Sequence, residues 1–256
     1  GGLHNRLTEI IHLSPFTLAE AKQFCQARGL RLSDQEIARI YMALGGVPFY
    51  LENIRKGESF PVAIERICFS PNGPLRNEYD NLYKALFKHA DIYTKIVAVL
   101  AMHPQGLPHA KILKRLKSKP SGSYQRAIKN LIASDFILET RPYGKKKRGS
   151  FYRLIDEYSV FYHRFVAPNR HYTEGMWQQL AASQSYKAWA GYAFESICRK
   201  HIAALKQALG IAAVSTQVAG LSVPGNEVEK GFQIDLLIDR KDDSINICEI
   251  KFHAGP

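Results

Sequence analysis

Apolar positions recur every three to four residues through the first third of the chain and predict helices. In "TLAEAKQFCQARG", Leu18, Ala21, Phe24 and Cys25 fall on one face. Thr17 and Glu20 have the spacing of a capping box, in which each side chain reaches the other residue's backbone N–H, and Gly29 supplies the stop. "SDQEIARIYMALGG" repeats the design with Ser33 and Glu36 as the box and Ile37, Ile40, Tyr41 and Leu44 as the stripe. A third helix is expected over "VAIERICF", then a loop at "SPNGP", then helix over 78–100 with a break near 90–91.

The pattern changes after residue 100. A helix ends near Met102. A second, "HAKILKRLK", turns Ile112, Leu113 and Leu116 inward, and "SKPSGS" makes a tight turn. A third, "SYQRAIKNLIASD", buries Tyr124, Ala127, Ile128 and Leu131 and leaves Ser121, Ser123, Gln125, Arg126 and Lys129 outward. "FILET" and "SFYRLI" read as strands joined by "RPYGKKKRG". Helix, turn, helix, hairpin is the order of a winged helix-turn-helix, whose third helix enters the major groove and whose wing touches the DNA backbone or minor groove. Gln125, Arg126 and Lys129 on that helix, and Lys145, Lys146, Lys147 and Arg148 at the wing tip, are the expected DNA contacts. A winged helix used only for protein packing, with a solvated lysine-rich turn, is the plainer alternative.

In the last third, Phe161, Tyr162 and Phe165 at helical spacing read as core. "SYKAWAGYAFESICRKHIAALKQALG" is one helix with Trp189, Phe194, Ile197, Cys198 and Ile202 on its apolar side, and "AAVSTQV" is a strand. A loop over 220–231 leads to "GFQIDLLIDRKDDSINICEIKF", an expected hairpin. Period-two alternation puts Gln233, Asp235 and Leu237 on one face of its first strand, and Ile245, Ile247, Glu249 and Lys251 on one face of its second. Domains are therefore expected over 1–88, 89–168 and 169–256, in an α+β chain.

The charge sharpens this division. Of 256 residues, 46% are hydrophobic and 23% charged, as in an ordinary soluble protein, and no apolar run is long enough to span a membrane. The net charge is +12, and residues 89–168 hold 15 Lys and Arg against 5 Asp and Glu. The first 88 residues hold 11 against 9, and the last 88 hold 9 against 9. So concentrated a basic segment attracts a polyanion, DNA first among them. Cys25, Cys68, Cys198 and Cys248 form no Cys-x-x-Cys pair, and buried thiols in a reducing cytoplasm are expected. The nine histidines form no zinc-hydrolase motif.

Two carboxylates on neighbouring strands repel unless a cation lies between them, and Mg²⁺ or Mn²⁺ is the natural partner for Asp235 and Glu249. Lys251, on the same face as Glu249, could orient water or stabilise charge on a phosphate. An ion-paired edge hairpin is the structural alternative. The order helix-Glu, strand-Asp, strand-Glu-x-Lys resembles the PD-(D/E)XK nuclease superfamily. The resemblance implies a restriction-endonuclease-like mixed α/β fold with Glu195, Asp235, Glu249 and Lys251 as catalytic residues and Gln233 as an accessory. A wider resemblance runs through "NRLTEIIHLSPFTLAEAKQF", "GGVPFYLENI", "YRLIDEYSVFYHRFVAPN", "WAGYAFESICRKHI" and the hairpin. These segments look like the C-terminal part of prokaryotic AAA+/STAND-type ATPases that end in a nuclease-like domain. Residues 1–88 would then be the helical lid-like region. The chain holds no G-x-x-x-x-G-K-[ST], so ATP would enter only through a P-loop domain supplied by sequence outside it. The expected partners are DNA, that ATPase domain and a second copy of the chain, with no membrane. Two functions follow: a metal-dependent DNA nuclease, or a non-catalytic DNA-binding, regulatory region with a vestigial nuclease fold.

Overall fold

The computed structural model describes residues 13–140, 150–223 and 230–253. The fold is α+β, with helices and two small antiparallel sheets of three strands each.

The first two helices begin where their caps are written. In α1 (Leu18–Ala27) the Thr17 backbone N–H donates to Glu20 Oε2 at 2.8 Å while Glu20 N–H donates to Thr17 Oγ1 at 3.3 Å. In α2 (Asp34–Leu44) Ser33 and Glu36 make the same reciprocal pair at 3.0 and 3.2 Å. Each box satisfies N–H groups that a helix start otherwise leaves unpaired. α2 is buried along most of its length. The short helices α3 (Pro48–Leu51) and α4 (Phe60–Ile64) carry proline in their first turn, where a missing N–H costs nothing. α4 continues as a π-helical turn, Glu65–Phe69, which turns Ile67, Cys68 and Phe69 inward.

α5 (Glu78–Leu86) and α6 (Ala90–Ala101) are separate, with Phe87 in extended conformation between them. Next come strand β1 (Leu107–Pro108), helices α7 (His109–Arg115) and α8 (Gly122–Ala133), and strands β2 (Ile137–Thr140) and β3 (Phe151–Leu154). The sheet order is β1-β3-β2, with Leu107 opposite Tyr152 and Ile137 opposite Leu154. Asn130 Nδ2 donates to Tyr93 Oη at 2.8 Å, tying α8 to α6. α9 (Glu157–Phe161), which the sequence assigns to the middle segment, packs mainly on α2, and runs into a second π-helical turn, Tyr162–Val166. Phe161, Tyr162 and Phe165 are buried there, as their spacing predicts.

α10 (Met176–Ala181) brings in Trp177, which is fully buried among Phe60, Phe69, Phe161 and Phe165. One hydrophobic core runs from Ala21 to Ile197 and so unites the helical region, the β1–β3 unit and the start of the last third. The helix expected over 185–210 is instead two. α11 (Gln184–Lys200) stops at His201 and α12 (Ile202–Ala208) follows. His201 Nε2 accepts the Leu18 N–H at 2.8 Å, so its proton sits on Nδ1, which donates to Ile197 O at 2.8 Å. The break thus places a side-chain acceptor on an orphan N–H at the start of α1. α12 covers the second sheet, β4 (Thr216–Val223), β5 (Phe232–Arg240) and β6 (Ile245–Cys248), in sequence order. Their own core is small: Ile211, Leu236 and Ile238 with Ile202, Leu205, Val214, Cys248 and Ile250 against them. The four cysteines are free.

Candidate functional site

The carboxylates singled out in the last third have three different settings: Asp235 on β5, Glu249 just past the end of β6, and Glu195 on α11. β5 and β6 pair with Leu236 opposite Cys248 and Asp239 opposite Ile245. Continued by one residue, this register sets Glu249 opposite Asp235, the alignment that alternation predicts. β6, however, ends at Cys248, so the strand expected to carry Glu249 and Lys251 stops short of both. The reason is local: Asp235 Oδ2 takes the Ile250 N–H at 2.9 Å, a side chain standing where a ladder carbonyl would be.

Asp235 is engaged on both oxygens. Gln233 Nε2 donates to Oδ1 at 3.3 Å, and Gln105 Nε2 in turn donates to Gln233 Oε1 at 3.2 Å. Gln105 precedes β1, so this chain of amides links the two sheets. Glu249 and Lys251 pair with each other at 3.4 Å, each side chain 65% exposed. An ion pair that open to water contributes little.

Glu195, on α11, has a different setting. It is buried, with Arg199 Nη2 at 2.6 Å one turn along the helix and Arg153 Nη1 from β3 at 3.7 Å. Arg199 Nη2 also donates to the backbone carbonyl of Asp235. Gly220, at the register shift in β4, makes room for that guanidinium: a Cβ there would lie 2.7 Å from Nη2. Burial, then repulsion from Arg199, pulls the Arg153 pKa down to about 10, and Glu195 partly offsets both. Burial raises the nearby Cys198 thiol pKa as well, with Glu195 adding to it.

The chain therefore brings Glu195, Arg199 and Asp235 together through hydrogen bonds and leaves Glu249 and Lys251 at the surface beside them. Among the described residues, no three His, Cys, Asp or Glu side chains gather where they could hold one metal ion. The sequence reading omitted Arg199 and Arg153. Arg199 was legible, because Glu195 and Arg199 stand four residues apart on a helix. Arg153 was not, since only the fold brings it across from β3.

The second candidate surface is α8. Ser121 caps it by accepting the Tyr124 N–H at 3.4 Å, and Tyr124, Ala127, Ile128 and Leu131 are buried beneath it. Ser121, Ser123, Gln125, Arg126 and Lys129 are all exposed. The hairpin tip with Lys145, Lys146, Lys147 and Arg148 lies outside the described residues. No helix among the described residues is long and apolar enough to cross a membrane.

Comparison with known proteins gives one distant relative to weigh. No family model matches the chain, and no solved structure matches it. Over 209 residues it is 26% identical to the uncharacterized protein MJECL04 of Methanocaldococcus jannaschii, a match covering 80% of this chain and 45% of that protein. The chain thus spans less than half the length of the relative it matches.

Proposed function

We propose that this chain is a DNA-binding, regulatory region, the C-terminal part of an AAA+-type ATPase whose P-loop domain lies outside it. The observation that carries the reading is α8: an exposed row of Gln125, Arg126 and Lys129 over a fully apolar underside, in the most basic part of the chain. The order α6, α7, α8, β2, β3 supports a winged helix, with α8 as its recognition helix and the basic tip on phosphates. In the last third, the binding of Glu195 by two arginines and of Asp235 by amide and backbone donors favours a structural role for these acids over a catalytic one.

A nuclease is the second reading, because the β5–β6 register, continued one residue past the end of β6, would set Asp235 opposite Glu249. Those two residues would hold Mg²⁺ or Mn²⁺, which would supply an activated water and a Lewis acid for phosphodiester hydrolysis.

Fluorescence anisotropy with a labelled duplex tests the first reading. Arg126→Glu with Lys129→Glu is expected to weaken binding at least tenfold, since two attractive phosphate contacts become repulsive. Absence of DNA binding by the parent chain would overturn it. Nicking of supercoiled plasmid in Mn²⁺ by the parent, lost in Asp235→Ala, would instead establish the nuclease.

A further inference from the structure

The region where α2, α6, β3, α9 and α11 meet encloses a cavity of about 210 Å³. Leu100, Leu154, Val160, Trp189 and Ala193 make its walls apolar. Two arginines interrupt them. Arg153 is 7% exposed, and the one acid in reach, Glu195, lies closer to Arg199, so two guanidiniums share a single carboxylate. Arg164 is half-buried and has no ion-pair partner among the described residues. The acid in the wall, Glu157, is already occupied by Lys200, whose Nζ sits 2.9 and 3.0 Å from its two oxygens.

An apolar chamber with two guanidiniums at its wall, one buried and one half-buried, suits one kind of guest. A cation taken out of water is costly until an anion compensates it. We propose that this cavity is a binding site for a small amphipathic carboxylate, its apolar body against Trp189 and Leu154 and its carboxylate at Arg153 and Arg164. The volume falls below the roughly 300 Å³ where drug-sized pockets begin, so the guest is a short-chain or single-ring acid rather than a nucleotide. Met102, 55% exposed, and Tyr192, 39% exposed, also line it.

Calorimetric titration of the chain with octanoate, beside octanol, tests the site. Octanoate is expected to bind one to one and octanol about tenfold more weakly or worse, the carboxylate accounting for the difference. Arg164→Gln loses no ion pair among the described residues and so should fold normally by circular dichroism, yet bind octanoate about tenfold more weakly. Ala193→Phe, which fills the chamber, should abolish the heat. Equal binding of acid and alcohol would overturn the proposal. So would undiminished binding in a folded Arg164→Gln chain, or no heat from octanoate at millimolar concentration.

Discussion

His163 sits edge-on to Tyr79 at 4.7 Å between ring centroids, and burial lowers its pKa to about 4, with Asp80 opposing the fall. The unfolded chain takes up a proton there near pH 6.5, which the folded chain refuses until about pH 4. The folded state therefore loses stability as pH drops through that window, by about 3 kcal/mol at most from this one residue. Urea unfolding at pH 7 and pH 4.5 should show a gap between the parent and His163→Gln that narrows on acidification, because glutamine does not titrate. A constant gap would place the depressed pKa elsewhere. Glu195 supplies the complementary case. Replacing it with Gln leaves Arg153 and Arg199 facing no carboxylate while keeping the shape, at a cost of about 1–3 kcal/mol, read as a lowered urea midpoint. Were Glu195 a catalytic acid in an otherwise tolerant site, the same change would spare stability. Gly46 needs no ionisation argument: a Cβ there would fall 1.9 Å from the Phe16 carbonyl, so Gly46→Ala should unfold the chain at markedly lower urea.

Elements differ in how far their own residues determine them. The capping boxes at Thr17 and Ser33, the α8 stripe and the β5–β6 register were legible because each depends on spacing within a few residues or on strict alternation. The π-helical turns at Glu65–Phe69 and Tyr162–Val166 were not, since they form where large side chains must fit around Trp177 and Tyr79, contacts set by distant parts of the chain. The break at His201 answers to Leu18, and the early end of β6 answers to Asp235 reaching Ile250. β4 runs on through residues read as loop, and at the register shift the extra residue belongs to β5, where Asp235 and Leu236 together stand opposite Gly220. Among the described residues, the β4–β5–β6 sheet rests on a small separate cluster of Ile211, Leu236 and Ile238, whereas α2 lies in the main core. Local opening should follow that contrast. Hydrogen exchange is expected to be fastest, among the strands and long helices, in β4 and β6, and slowest in α2. Ile238→Ala, removing a fully buried side chain of the small core, should cost about 2–4 kcal/mol and accelerate exchange in β4–β6 while leaving α2 protected. Acceleration across both would mean that sheet and helices open as one unit.

At the scale of the whole molecule, charge separates the parts that packing unites. The main core ignores the boundaries at 88 and 168, yet residues 89–168 carry ten of the twelve net positive charges while the segments on either side are near balance. A polyanion that docks on this segment releases its condensed counterions, so log affinity should fall linearly with log salt. Two cations on α8 and four at the hairpin tip set the scale. A slope of about −4 to −6 is expected if most of them reach phosphates of one duplex. Neutralising Lys145, Lys146, Lys147 and Arg148 to Gln should flatten it by about 3, whereas neutralising Lys187, Lys206 and Lys241 in the balanced last third should leave it alone. Equal flattening by both sets would mean that DNA tracks the overall charge and that α8 defines no docking face. A flattening confined to the hairpin set would assign the phosphate contacts to the hairpin tip and leave the exposed Gln125 and Arg126 of α8 free for base edges.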